Sequence, residues 1–236
     1  MFDMKLTAEQ SRQMAKQVRA HRHAAYSTDI EIGAGLVLRD FHVSSNVLRP
    51  EMMSALQLAQ WLLFNNGLYT GKAVLDLGCG TGIQGIVMGL CGARKIVFAD
   101  IAPEAVANTQ RNIARYRLEG KSNVFSSDLF EAIRGTFDVI VFNHPFFSDG
   151  TMQEQISVPV KKISRGRLIH RFLVEAKKFL RPKGVIVMPY YLIAGPANHP
   201  GIQAKKHGYM VTEAFSMNVT TGIQRGPVSI FVLQTA

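Results

Sequence analysis

The chain has little sulfur and little indole: two cysteines and one tryptophan among 236 residues. Neither Cys79 nor Cys91 sits in a C-x-x-C pair. Two thiols cannot build a disulfide framework, and their spacing signals neither a metal centre nor a redox couple. No metal is expected. Long hydrophobic runs are missing too. The longest, Gly184 to Gly195, is interrupted by Pro189 and falls short of the roughly 18 residues that a membrane span requires, so neither a membrane helix nor a membrane partner is expected. The N-terminus, MFDMKLTAEQ, carries Asp3 and Glu9 where a secretory signal places cations and then an apolar run. A cytoplasmic location is the simplest expectation. With 47% hydrophobic and 19% charged residues the composition is that of a folded chain, long enough for one large domain or a core with an appendage.

Acid is scarce in one place. The formal net charge is +10, and residues 151–236 hold 12 Lys+Arg against 3 Asp+Glu, whereas residues 71–150 hold 8 of each. A basic third suits a polyanion, because each phosphate contact releases counterions and the field draws the partner in. RNA or a ribonucleoprotein is therefore the expected macromolecular partner.

Along the chain, Thr7 to Arg22 is polar and basic, and Thr7 with Gln10 forms a capping-box pair that predicts a surface helix. Ile30 to Ser45 reads as one or two strands punctuated by Gly33, Gly35 and Asp40. Arg49-Pro50 predicts the start of a helix whose apolar face, from Met53 to Leu63, continues to Phe64. Strand then alternates with helix. Apolar runs at 73–77, 95–99, 123–126, 137–142 and 184–189 are separated by helical patterns at 83–90, 103–117 and 168–180. Continuous apolar strands belong to a parallel sheet covered on both faces, and the alternation predicts a doubly wound α/β fold. A short helix is expected at 201–207. Two strands follow, 209–217 and 227–235, with no helix between them, and so predict an antiparallel pair that closes a seven-stranded, mostly parallel sheet. Residues 1–40 read as an N-terminal addition and 41–236 as the core domain.

The first chemical signal is VLDLGCGTGIQG: a strand to Leu77, glycines at 78, 80, 82 and 85, then a helix. Such a turn lets a ligand approach the backbone and presents free helix N–H groups. GTGIQG also satisfies G-x-G-x-x-G, with Asp100 where a ribose-binding carboxylate belongs. On these residues alone the turn suits either NAD or S-adenosylmethionine. Asp76 favours the second, since an acid two residues before Gly78 suits a ligand bearing an ammonium group.

The DLGCGTG run resembles motif I of the class I S-adenosylmethionine-dependent methyltransferases, a Rossmann-like family. That resemblance implies S-adenosyl-L-methionine as cofactor. It implies binding by Asp76, Gly78, Gly80 and Gly82, with Asp100 in VFADIAP on the ribose hydroxyls and Ile101 on the adenine face. Asp128 in SSDLF would accept from the adenine amino group, with Leu129 a further contact. The segment before motif I, FHVSSNVLRP, is similar to the one that covers the cofactor in small-domain methyltransferases, and would bring Arg49 to the methionine carboxylate.

After FDVIVF comes Asn143-His144-Pro145-Phe146, which resembles the N-P-P-[YF] signature of amino-methyltransferases. The resemblance implies that Asn143 and the carbonyl of His144 accept from the N–H groups of a planar nitrogen, that Phe146 stacks on the substrate, and that the stretch to Ser164 is long enough for a lid. Histidine in place of the first proline departs from the signature and raises the question of a proton acceptor. Related families methylate guanine-N2 of ribosomal RNA, adenine-N6 of tRNA, or a release-factor glutamine. Phe146 and the cations Lys161, Lys162, Arg165, Arg167 and Arg171 favour an exocyclic amine of an RNA base, with a protein glutamine amide second. Two rivals from other classes are a nicotinamide-dependent oxidoreductase and a catalytically silent RNA-binding module.

Overall fold

The computed structural model describes residues 12, 23–51, 54–144, 167–192, 198–220 and 225–235. The expected surface helix at 7–22, Pro145, Phe146, the lid stretch to Ser164, and Lys161, Lys162 and Arg165 lie outside the described residues, apart from Arg12.

Two strands, β1 (Tyr26–Gly33) and β2 (Leu36–Val43), pair antiparallel as a separate hairpin. Helix α1 (Ala55–Phe64) follows, then the alternating series: β3 (Ala73–Leu77), α2 (Ile83–Leu90), β4 (Lys95–Asp100), α3 (Pro103–Arg115), β5 (Ser122–Ser126), β6 (Phe137–Phe142), α4 (Arg167–Ala176), β7 (Leu180–Tyr191) and α5 (Pro200–Lys206). Strands β8 (Tyr209–Thr220) and β9 (Arg225–Thr235) end the chain. The seven-stranded sheet has the order β5-β4-β3-β6-β7-β9-β8. The first five of these strands are mutually parallel, while β9 runs antiparallel to both β7 and β8. This is the doubly wound sheet expected, with the expected antiparallel pair.

All five residues of β3 are buried, because successive side chains alternate between two covered faces. Leu75, Leu77, Ile140 and Phe142 join Phe172 and Leu173 of α4 on one face. Val74, Val139 and Val141 join Leu58, Ile86 and Phe98 on the other, along with Ile32, Phe41 and Val43 of the hairpin. The hairpin is thus continuous with the core, and β2 runs through residue 40, where the addition was expected to end. The close packing of α2 on the sheet explains the last glycine of GTGIQG: a Cβ at Gly85 would fall onto the Phe98 ring. Gly85→Ala is expected to destabilise the protein by about 1–3 kcal/mol through overpacking, read as a lower midpoint in urea unfolding.

Several boundaries differ from expectation, among them the end of α4, at Ala176 rather than 180, and that of β8, at Thr220 rather than 217. α1 begins at Ala55, because Pro50 and Glu51 lie in a turn where Glu51 is held by the Tyr26 hydroxyl at 2.6 Å and by Arg49 at 2.7 Å. β7 runs beyond 184–189 at both ends. Leu180 pairs with Phe137 of β6 and Tyr191 with Val228 of β9, so partners on either side lengthen it.

Candidate active site

From β3 the chain winds one way through β4 to β5, then returns to the other side of β3 at β6. That reversal opens a crevice at the carboxyl ends of β3 and β6, where open α/β sheets take ligands. The glycine turn follows β3 and Asn143 follows β6. They are close: a Cβ at Gly78 would lie 3.3 Å from the Phe142 ring, one residue before Asn143. Gly78, Gly80 and Gly82 all have left-handed φ, between 55° and 82°. Around Gly80 a Cβ would meet nothing within 4 Å, so the turn leaves open space beside its backbone.

Three acids surround the turn. Asp76, 1% exposed, accepts from the Gly85 amide at 2.9 Å. Burial, with a smaller push from Asp100, raises its pKa to about 8 against the pull of that amide. Asp100 accepts from the amides of Gly80 and Ala102, each at 2.9 Å, which ties the end of β4 to the glycine turn. Burial raises its pKa as well, against those same amides. Ile101 beside it is exposed. Asp128 follows β5 and pairs with Arg171 of α4 at 3.2 Å, which gives that predicted cation a partner in the site. Leu129 is buried with a φ of 48°, held by Ser127, whose hydroxyl donates to the Leu129 carbonyl and accepts from the Ala132 amide.

The turn is also gripped from behind, by residues that sequence reasoning missed. Asn108, Thr109 and Asn112 on α3 are buried. Asn112 donates to the carbonyls of Thr81 (3.0 Å) and His42 (2.8 Å) and accepts from the His42 amide (2.9 Å). Asn108 accepts from the Ser44 amide at 2.6 Å, and Thr109 donates to the Gly80 carbonyl at 3.0 Å. The available signal was an Asn, i+4 Asn pair on the inward face of a helix. Asn112→Ala leaves the His42 amide without its acceptor and removes one of two donors to the carbonyls of His42 and Thr81, which Asn108 also bonds, and is expected to cost about 1–3 kcal/mol of stability, measured by chemical unfolding.

Asn143 is half-buried, and its Oδ1 accepts from the Ser54 hydroxyl at 2.9 Å. His144 is 2% exposed. Its Nε2–H donates to the Asn198 carbonyl at 3.0 Å and its ring stacks on Tyr190, 5.9 Å between centroids and 12° from parallel. Burial lowers its pKa to about 4 against the pull of the Asn198 carbonyl. Arg49 lies in the segment before motif I, bonded to Glu51 and to the Tyr26 hydroxyl, with its guanidinium 5.2 Å from the Tyr26 ring centroid.

The methyltransferase small domain model matches residues 54–191, more than half of the chain. The chain belongs to this family. The methyltransferase is similar to a Methanocaldococcus jannaschii protein provisionally named as a protein N5-glutamine methyltransferase. The two are 34% identical over 143 residues, 59% of this chain and 72% of the relative. It is also similar to the ribosomal RNA small subunit methyltransferase C of Actinobacillus succinogenes, 39% identical over 97 residues, 40% of this chain and 28% of that one. In fold it is like the T. thermophilus 16S rRNA N2 methyltransferase solved with AdoMet and guanosine. That likeness has a TM-score of 0.64 at 20% identity over 91% of this chain and 51% of the other. The methyltransferase therefore spans about half or less of two of these three proteins. Family membership overturns the nicotinamide reading of GTGIQG, and Gly85 has its own explanation in the packing against Phe98.

S-adenosyl-L-methionine is the methyl donor, and the site fits it. A buried carboxyl whose ionisation costs free energy gains most from an ammonium partner, which Asp76 would find in the donor's methionine moiety. Asp100 and the open backbone at Gly80 suit a ribose. Among the described residues no helix is long and apolar enough to cross a membrane, and no cluster of His, Cys, Asp and Glu could hold a metal.

Proposed function

We propose that the methyltransferase acts on a planar nitrogen, an exocyclic amine of an RNA base. The observation that carries the nitrogen is Asn143 beside the glycine turn, its Oδ1 fixed by Ser54. The donor supplies an electrophilic methyl group on a sulfonium. A delocalised lone pair makes an exocyclic amine a poor nucleophile, so the protein's contribution is orientation. Asn143 Oδ1 and the His144 carbonyl accept from the amine N–H groups, which holds the nitrogen in line and draws its lone pair out of conjugation. The new C–N bond forms as the S–C bond breaks. The cationic amine then loses a proton to water, and S-adenosylhomocysteine leaves. His144 serves through its backbone in this scheme, since its ring is neutral, buried and committed to Asn198. Asp100 and Asp128 hold the ribose and adenine of the donor, with Ile101 and Leu129 beside the adenine and Arg49 at its methionine end.

The base is favoured over other planar nitrogens by the basic third of the chain, 12 Lys+Arg against 3 Asp+Glu, and by the ribosomal RNA relative. A protein glutamine amide is the second reading, favoured by the archaeal relative, of which the match covers 72%. Tritiated methyl transfer to transcribed small-subunit ribosomal RNA, recombinant release factor and ribosomal protein uL3 separates the two. Label in the RNA that falls steeply with added salt is expected; label only in a protein overturns the RNA reading. Donor and RNA binding with no transfer to any of the three would turn the assignment to the silent module.

A further inference from the structure

We infer that Ser54 is a positioning residue for methyl transfer: its hydroxyl sets the orientation of the Asn143 amide and ties it to the geometry of the glycine turn. This inference rests on the role proposed for Asn143. Ser54 stands at the N-cap of α1, where serine ordinarily turns its hydroxyl back to accept a free amide of its own helix. Here it caps nothing with its side chain. The hydroxyl instead donates to Asn143 Oδ1 at 2.9 Å, across 89 residues of sequence, and Ser54 is only 1% exposed. A buried hydroxyl diverted from its local partner to a distant side chain trades a local interaction for a tertiary one.

The other end of the connection lies in the glycine turn. The carbonyl of Ala55, next to Ser54, accepts from Gln84 Nε2 at 3.1 Å. Gln84 is in the first turn of α2, which starts at the left-handed Gly82 and supplies the Gly85 amide to Asp76. Asn143 is therefore referenced, through Ser54, Ala55 and Gln84, to the helix that grips the Asp76 carboxylate. An amide oxygen has two lone pairs. The hydroxyl takes one, and the second remains for the substrate N–H. Without the hydroxyl the Asn143 side chain turns about its χ angles, and the acceptor is in place for only part of the time. In-line transfer is sensitive to such a loss of placement.

Ser54→Ala is expected to lower kcat for methyl transfer to transcribed small-subunit ribosomal RNA about tenfold. KM for the RNA and Kd for S-adenosylmethionine should change by no more than about twofold, and Ser54→Ala added to Asn143→Ala should cost less than about twofold again, because coupled residues are not additive. A second readout needs no turnover. The side-chain amide pair of Asn143 in the NMR spectrum, assigned by its loss in Asn143→Ala, should shift and broaden in Ser54→Ala while the pairs of Asn108 and Asn112 stay in place. An unmoved Asn143 pair, or a kcat within about twofold of wild type while Asn143→Ala abolishes transfer, overturns the inference. So do fully additive effects. If Asn143→Ala itself transfers methyl normally, the role of Asn143 falls, and this inference with it.

Discussion

Asn143→Ala is expected to reduce methyl transfer by about 100-fold or more while leaving S-adenosylmethionine affinity within about twofold. The asymmetry follows from where Asn143 stands. It follows β6, whereas Asp76, Asp100 and Asp128, proposed to hold the donor, lie in or after β3, β4 and β5. Loss of Oδ1 removes one of the two acceptors proposed for the amine and leaves Ser54 without its partner. The check is a pair of measurements on one preparation, single-turnover transfer for the chemical step and isothermal titration for the donor. An equal loss in both would mean that Asn143 shapes the donor pocket instead. His144→Phe keeps an aromatic ring against Tyr190 and deletes the bond to Asn198. Transfer should fall modestly in this variant, and the acid limb of its pH profile should keep its position, because a ring with a pKa near 4 is neutral throughout the working range in the native protein.

Asp76→Asn should weaken S-adenosylmethionine binding by roughly 30-fold or more, the scale of losing one member of a buried ion pair. Asparagine keeps an oxygen for the Gly85 amide, so the effect is electrostatic. The pH dependence has a defined sign. In the free protein the Asp76 carboxyl is protonated below about 8. Pairing with the ammonium then requires that proton to leave, and affinity climbs as pH rises towards that value. Titrations in buffers of different ionisation enthalpy should show proton release on binding by the native protein and much less by Asp76→Asn. Stability of the free protein runs the other way. A folded-state pKa raised from 3.8 to about 8 contributes stability that is fully present below the lower value and is lost as pH rises through the upper one. The melting temperature of the free native protein should therefore decline relative to that of Asp76→Asn over this interval, and saturating donor should reverse the decline.

The sheet was legible because its strands are buried on both sides. Runs such as AVLDL and FDVIVF carry their fold class in composition, and each ends at a residue of the crevice. Asp76, the glycines and Asn143 stood out because acids, glycines and amides are unusual where an apolar strand ends, and the structure brings the glycine turn and the end of β6 together. Ser54, Asn108 and Asn112 were not. Each acts through a partner 27 or more residues away, and in a linear reading a serine before a helix is a cap and an asparagine in a helix is a solvated residue. The start of α1 was misjudged for a related reason, since Glu51 is claimed by Tyr26 of the hairpin, beyond the reach of local propensity. The partner of Asp128 was equally hidden: Arg171 counted as one more cation of the basic third until α4 brought it to that carboxylate.

The asparagine clamp on α3 also couples two distant parts of the chain. The β1–β2 hairpin is synthesised early, yet its edge at His42 and Ser44 bonds to Asn112 and Asn108, 70 and 64 residues later in the chain. Those partners exist only once α3 has folded onto the sheet. In the folded protein the Asn112 amide nitrogen bonds the hairpin and the glycine turn together, so the seating of the one is coupled to the shape of the other. A hairpin exchanged between relatives will seat only if the α3 that receives it carries the matching amides.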